Sequence, residues 1–161
     1  MLSPIEQIRR ALVRGYRAIG VTDHVGTGNV EYVVKTLVVD CANGTNRWDI
    51  LAMPGVEITH VPKDDIDLVA RTAKELGAKL VTVHGETIVE PVEPGTNEAA
   101  VRSAFVDVLA HPGLISYEVA RLAAENGVYL EISARKGHSL ANGHVVNMAR
   151  QAGAATVLDS D

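Results

Sequence analysis

The chain has 161 residues, 47% hydrophobic and 22% charged, the balance of a water-soluble globular protein with one sizeable core, read as a single domain over residues 1–161. A net charge of −5 removes the electrostatic case for non-specific nucleic-acid binding, and a lone cysteine, Cys41, excludes an intrachain disulfide and points to a reducing compartment. No apolar run approaches the ~20 residues of a membrane span, and residues 1–30 lack a basic stretch followed by an apolar one, so the expected location is the cytoplasm.

The first element is a helix. In SPIEQIRRALVRGY, Ser3 is a cap, Pro4 suits the first helical position, Glu6 completes a capping box and Gly15 is a stop. AIGVTDH, residues 18–24, reads as a strand. The turn GTGN resembles an anion-binding loop but lacks a nucleotide-binding pattern, so it reads as a connection. NVEYVVKTLVVDCA repeats apolar residues at helical spacing, with Cys41 on the core side. ILAMPGVEIT is a strand with a Pro-Gly irregularity, and DDIDLVARTAKELG an amphipathic helix stopped by Gly77. AKLVTVHGE is a strand, followed by the proline-rich loop TIVEPVEPGTN and the helix EAAVRSAF. The strand VDVLAHPG, the helix SYEVARLAAENG, the strand VYLEISA, the loop RKGHSLANG, the helix HVVNMARQAG and the strand AATVLDSD complete the order. Six strands alternating with helices define a parallel α/β architecture.

Ionisable residues fall at one end of these strands. His24, Glu57, His84, His111 and Asp161 each lie at the C-terminal end of a different one. That edge binds ligands in α/β folds, open or closed. A single histidine at a strand end is ordinarily a hydrogen-bonded structural residue. Several histidines and carboxylates on one edge call for a counter-ion, and imidazole with carboxylate suits Zn, Mn or Fe. Arg135, Lys136 and His138 follow the strand YLEIS, either as a phosphate-binding cluster or as a solvated loop. Glu86, Glu90 and Glu93 line a pocket or solvate their proline-rich loop. His60 and His144 read as loop or cap residues, and Asp23 and Asp159 as capping or turn acids.

The series AIGVTDH, PGVEIT, LVTVHGE, DVLAHPG, YLEIS and LDSD resembles the PHP (polymerase and histidinol phosphatase) family, in its small histidinol-phosphatase-like members, over nearly the whole chain. The resemblance implies a distorted (β/α)7 TIM-like barrel with two or three divalent metals at the C-terminal edge, hydrolysing a small phosphomonoester. It implies that Glu57 bridges two metals, that His84 and His111 complete one site, that His24 belongs to a third, and that Asp161 is the aspartate of a closing D-x-H motif. Glu57 and Asp161 are its catalytic carboxylates, and Arg135, with Lys136 and His138, would contact substrate phosphate. The sequence departs from the family in having no first strand with its H-x-H pair and no final histidine after Asp161. The expected fold is therefore an incomplete barrel holding one metal, with impaired turnover. A non-catalytic metal- or ligand-binding module is the alternative, and an amidohydrolase is disfavoured because no lysine sits at a strand end. Open sheet edges lead to an expected oligomer. No nucleic acid or membrane partner is expected.

Overall fold

The structure, a computed structural model, describes residues 2–160. Asp161, expected as a metal ligand and catalytic carboxylate, lies outside the described residues. Helix α1 spans Pro4–Val13, capped by Ser3, whose hydroxyl accepts the Glu6 N–H at 3.3 Å. The reciprocal half of the capping box is not made, because the Glu6 carboxylate accepts from Arg10 at 2.8 and 3.0 Å. Strands β1 (Ala18–Val21) and β2 (His24–Val25) follow, then α2 (Val30–Arg47) and β3 (Leu51–Ile58). The remaining units are α3 (Ile66–Glu75), β4 (Leu80–His84), α4 (Thr96–Arg102), β5 (Val108–Ala110), α5 (Tyr117–Asn126), β6 (Tyr129–Ser133), α6 (Asn142–Ala152) and β7 (Thr156–Asp159).

All strand pairs are parallel, in the order β1-β3-β4-β5-β6-β7, with β2 also paired to β3. The sheet curls into a half-barrel with helices on its outer face, which matches both the parallel α/β architecture expected from the strand-helix alternation and the incomplete TIM-like barrel that the family resemblance implies. Apolar side chains such as Val56, Val81, Val83, Leu109 and Leu130 turn outward to meet α3, α5 and α6. A smaller cluster, Ile8, Leu37, Cys41 and Ile50, joins α1 and α2 to the sheet. Burial, with Asp40 adding to it, pushes the Cys41 thiol up to about 11, as suits a core residue rather than a nucleophile.

Several boundaries differ from the sequence reading, among them α4, which covers Thr96–Arg102 rather than residues 98–105, and two have a direct physical cause. The single strand expected over residues 18–24 is two short ones. Val21 is in register with Pro54, which has no N–H for the ladder, and the Asp23 carboxylate takes the His24 N–H at 2.8 Å. Helix α2 runs beyond Ala42, through Asn43-Gly44-Thr45, to Arg47. It passes Gly44 because that residue lies against α1: a Cβ there would stand 2.9 Å from Ile8 Cγ2. Tertiary contact overrides the local breaker signal.

Candidate metal centre

Register brings the polar residues together. His24 is the ladder partner of Glu57, and Glu57 pairs with Thr82, two residues before His84. Successive side chains alternate faces, so Glu57 and His84 share the concave one. The β4–β5 pairing sets His84 opposite Ala110, the last residue before His111. There the chain leaves the sheet with a φ of +29°, and His60, two residues past β3, has a φ of +51°. Among the described residues these are the only non-glycine positions with positive φ. Such backbone is disfavoured and persists where surrounding contacts impose it, typically at functional sites.

The innermost group is Glu57, His84 and His111, all buried. His84 Nδ1 is 3.1 Å from Glu57 Oε1 and 2.8 Å from His111 Nε2, and His111 Nε2 is 3.6 Å from the same Glu57 oxygen. Three donor atoms thus converge at the separation expected around one cation. His24 Nε2 approaches the other Glu57 oxygen at 3.4 Å. Burial pushes the Glu57 carboxyl up, but its hydrogen bond with His84 and the charges of His111, His24 and His84 outweigh this and hold it below the usual range. Glu57 is therefore anionic and ready to act as a ligand.

Behind His111 stands Glu131, from the middle of β6 and 2% exposed. Its Oε2 lies 2.8 Å from His111 Nδ1 and also accepts the His111 backbone N–H. The carboxylate fixes the ring so that Nδ1 carries the proton and Nε2 directs its lone pair at the triad. Burial pushes Glu131 up, yet hydrogen bonds with His111 and Asp159 bring it down to about 2.

Outside the triad, Glu90 gathers three further nitrogens. Its oxygens lie 3.0 Å from His138 Nε2, 3.2 Å from His84 Nε2 and 3.5 Å from His60 Nε2. The His138 hydrogen bond lowers its pKa most, partial burial opposes, and His84 and His60 add to the lowering, giving a value of about 2. The imidazoles also pack together: His111 and His138 stack at 3.9 Å, and His84 meets His111 edge-on at 4.4 Å.

Each expected site residue among the described ones therefore has a definite place. His24, Glu57, His84 and His111 are brought together. Arg135 lines a cavity of about 260 Å³ with His24, Glu57, Val21 and Leu37, whereas Lys136 is on the exposed surface. His138 lies buried in the imidazole cluster, apart from the surface position of Lys136. Among the loop acids, Glu86 accepts the N–H groups of Gly95 and Asn97 at 3.0 and 2.9 Å, tying down the start of α4. Glu93 holds the Lys63 N–H at 3.0 Å, and only Glu90 faces the histidines. His60 belongs to the cluster, while His144 Nε2 bonds the Ile115 carbonyl at 2.8 Å. Sequence reasoning overlooked Glu131. Its signal was a lone acid between Leu130 and Ile132 in a buried strand, where a charge requires a partner. The donor set, mixed imidazole and carboxylate and largely buried, fits a divalent cation of the Zn, Mn or Fe kind.

Fold and site together define an incomplete TIM-like barrel with clustered potential metal ligands at the C-terminal ends of its strands. The chain belongs to the family of the Methanocaldococcus jannaschii protein MJ1295, described as uncharacterized, with which it is 44% identical over 161 residues, covering 99% of this chain and 74% of that one. No family model matches the sequence. Among solved structures, a mandelate racemase/muconate lactonizing enzyme candidate from Sorangium cellulosum aligns with a TM-score of 0.54 at 20% identity, over 100% of this chain and 44% of that one. A second, described only as an uncharacterized protein, aligns with a TM-score of 0.54 at 14% identity, over 84% of this chain and 38% of that one. The chain thus spans less than half the length of either solved structure, and at these identities the likeness is one of fold. No helix among the described residues is long and apolar enough to cross a membrane.

Proposed function

We propose that this chain is a divalent-metal-dependent phosphoesterase domain of the PHP type, acting on a small phosphomonoester. The observation that carries this reading is the convergence of Glu57, His84 and His111 on one point, beside a small cavity that Arg135 also lines. Glu57, His84 and His111 would hold the metal, with His24 at the open side of Glu57. A bound divalent ion supplies Lewis-acid charge and lowers the pKa of water, the two requirements of phosphate-ester hydrolysis at neutral pH.

The chain's own groups do the rest. Glu131 keeps His111 in one tautomer, and Glu90, beside His84 Nε2, does the same for His84 by favouring a proton on that nitrogen. Arg135 offers a planar pair of donors that matches two phosphate oxygens. The cavity's size favours a small substrate. The racemase and lactonizing chemistry named for the Sorangium structure does not transfer, because that likeness extends to fold alone.

The test is a phosphatase assay over a broad panel of phosphomonoesters, with Mn²⁺ or Zn²⁺ supplied, on this chain and on a chain of the length of the M. jannaschii protein. Metal-dependent turnover is expected, reduced at least ~100-fold by Glu57→Gln and raised in KM by Arg135→Ala. If neither chain turns over any member of the panel while binding metal, the non-catalytic module is the correct reading.

A further inference from the structure

The inner triad accounts for Glu57, His84 Nδ1 and His111, but leaves a second convergence on the far side of the same ring. His60, His84 and Glu90 form a separate group whose candidate ligand atoms lie within 4.8 Å of one another, with His84 Nε2 and His60 Nε2 both facing Glu90 Oε2. From the shared carboxylate oxygen the two nitrogens are 3.2 and 3.5 Å away. A further imidazole, His138, meets the other oxygen of Glu90 at 3.0 Å. His60 and Glu90 are partly open to solvent, with side-chain exposures of 42% and 32%. An ion can therefore arrive there directly from water.

Helical or strand geometry does not explain this gathering. His60 comes from the turn after β3, Glu90 from the loop after β4, and His138 from the loop after β6. These are three independent segments, and the first reaches its position through a left-handed residue. Imidazoles brought around one carboxylate make a borderline-soft donor set suited to Zn²⁺ or Co²⁺ and poorly suited to Mg²⁺ or Ca²⁺.

We infer that His60, His84 and Glu90 form a second cation site at the rim of the half-barrel, separate from the inner triad and sharing His84 with it. A neutral imidazole has one lone pair, so His84 serves one ion at a time. When Nδ1 serves the inner ion, the rim ion keeps His60 and Glu90. When Nε2 serves the rim ion, the inner one keeps Glu57 and His111. The two ions are accordingly bound with unequal affinity, differing by roughly 10-fold or more. This inference concerns ion binding alone and stands or falls apart from the phosphoesterase reading.

The experiment is titration of the metal-free chain with Co²⁺, following d–d absorption, with Zn²⁺ stoichiometry counted by native mass spectrometry. The expected result is two ions per chain for the wild type, and one for His60→Ala and for Glu90→Gln. The double variant Glu57→Gln/His111→Ala is expected to keep one ion and to lose it when Glu90→Gln is added. Two ions retained in both His60→Ala and Glu90→Gln, or a wild type that holds one ion indifferent to both changes, overturns the inference. Circular dichroism checks the fold of the double variant. If that variant is unfolded, the two single rim variants decide the matter, since both alter partly exposed side chains.

Discussion

Glu131 is the residue on which the inner triad leans, although it contributes no ligand atom. Its carboxylate accepts from both the ring and the backbone of His111, the residue whose left-handed backbone turns it toward His84. Replacing it by glutamine preserves size but removes the charge that fixes the ring's proton. Glu131→Gln is therefore expected to weaken Zn²⁺ binding by roughly 10- to 100-fold in a competition titration, with the stoichiometry unchanged. The same carboxylate links stability to pH. Its value is about 2 in the folded chain against 4.5 for an ordinary glutamate, so its contribution is fully present above about pH 4.5 and is lost as pH falls toward 2. Metal-free wild type is expected to lose stability steeply across that window, and Glu131→Gln less steeply, as followed by urea midpoints at successive pH values. Equal slopes would remove Glu131 from the acid response. Glu57, His84 and His111 were legible in the sequence because each closes a recognisable apolar run, whereas Glu131 lies within one. Burial of this mid-strand acid, on the concave face opposite Leu130, is set by His111 and the neighbouring strands, which are not local. Glu90 was ambiguous for a related reason: of three acids on one proline-rich loop, only the loop's path decides which turns inward.

The helices and strands were largely readable from spacing, since amphipathic period, caps and stops are local properties. Gly127 and Gly153, both left-handed, end α5 and α6 where the sequence placed their stops. The connections were not readable, and they position the site. The loops after β4 and β5 touch at Gly113, where φ is +61° and an added Cβ would fall 2.0 Å from the Glu86 carbonyl oxygen. Asn97 joins the same two loops, donating to the Pro112 carbonyl at 2.8 Å and accepting the Glu86 N–H at 2.9 Å. One loop carries Glu90 and the other begins at His111, so their contact sets the spacing of the histidine cluster. Gly113→Ala is expected to lower stability by about 2 kcal/mol or more, because both the dihedral and a backbone atom oppose it. Ser116→Ala removes only the cap that accepts the Val119 N–H at 3.2 Å, and is expected to cost about 1 kcal/mol. Chemical denaturation measures both. The discriminating feature is metal affinity, which should fall in Gly113→Ala and stay constant in Ser116→Ala.

At the scale of the molecule, the sheet is curled but not closed. Among the described residues, β1 and β7 are the outer strands, each paired on one side only. A barrel abolishes such edges, whereas a half-barrel presents two rows of backbone donors and acceptors able to pair with another chain. The β7 edge has little to protect it. Leu158 is 73% exposed, and no residue of Thr156–Asp159 is fully buried. Ordinary edge protection, such as an inward-pointing lysine or a proline, is missing from TVLD. The 161-residue chain is therefore expected to self-associate through this strand, giving a mass above that of the 17.1 kDa monomer in light scattering coupled to size exclusion. Leu158→Lys places a charge on the exposed strand and is expected to shift the mass toward the monomer without changing the far-ultraviolet circular dichroism. Because Leu158 is not among the metal-cluster residues, metal stoichiometry should survive the change. A wild-type chain that remains a monomer across a hundred-fold range of concentration would show that the open edge is tolerated without a partner.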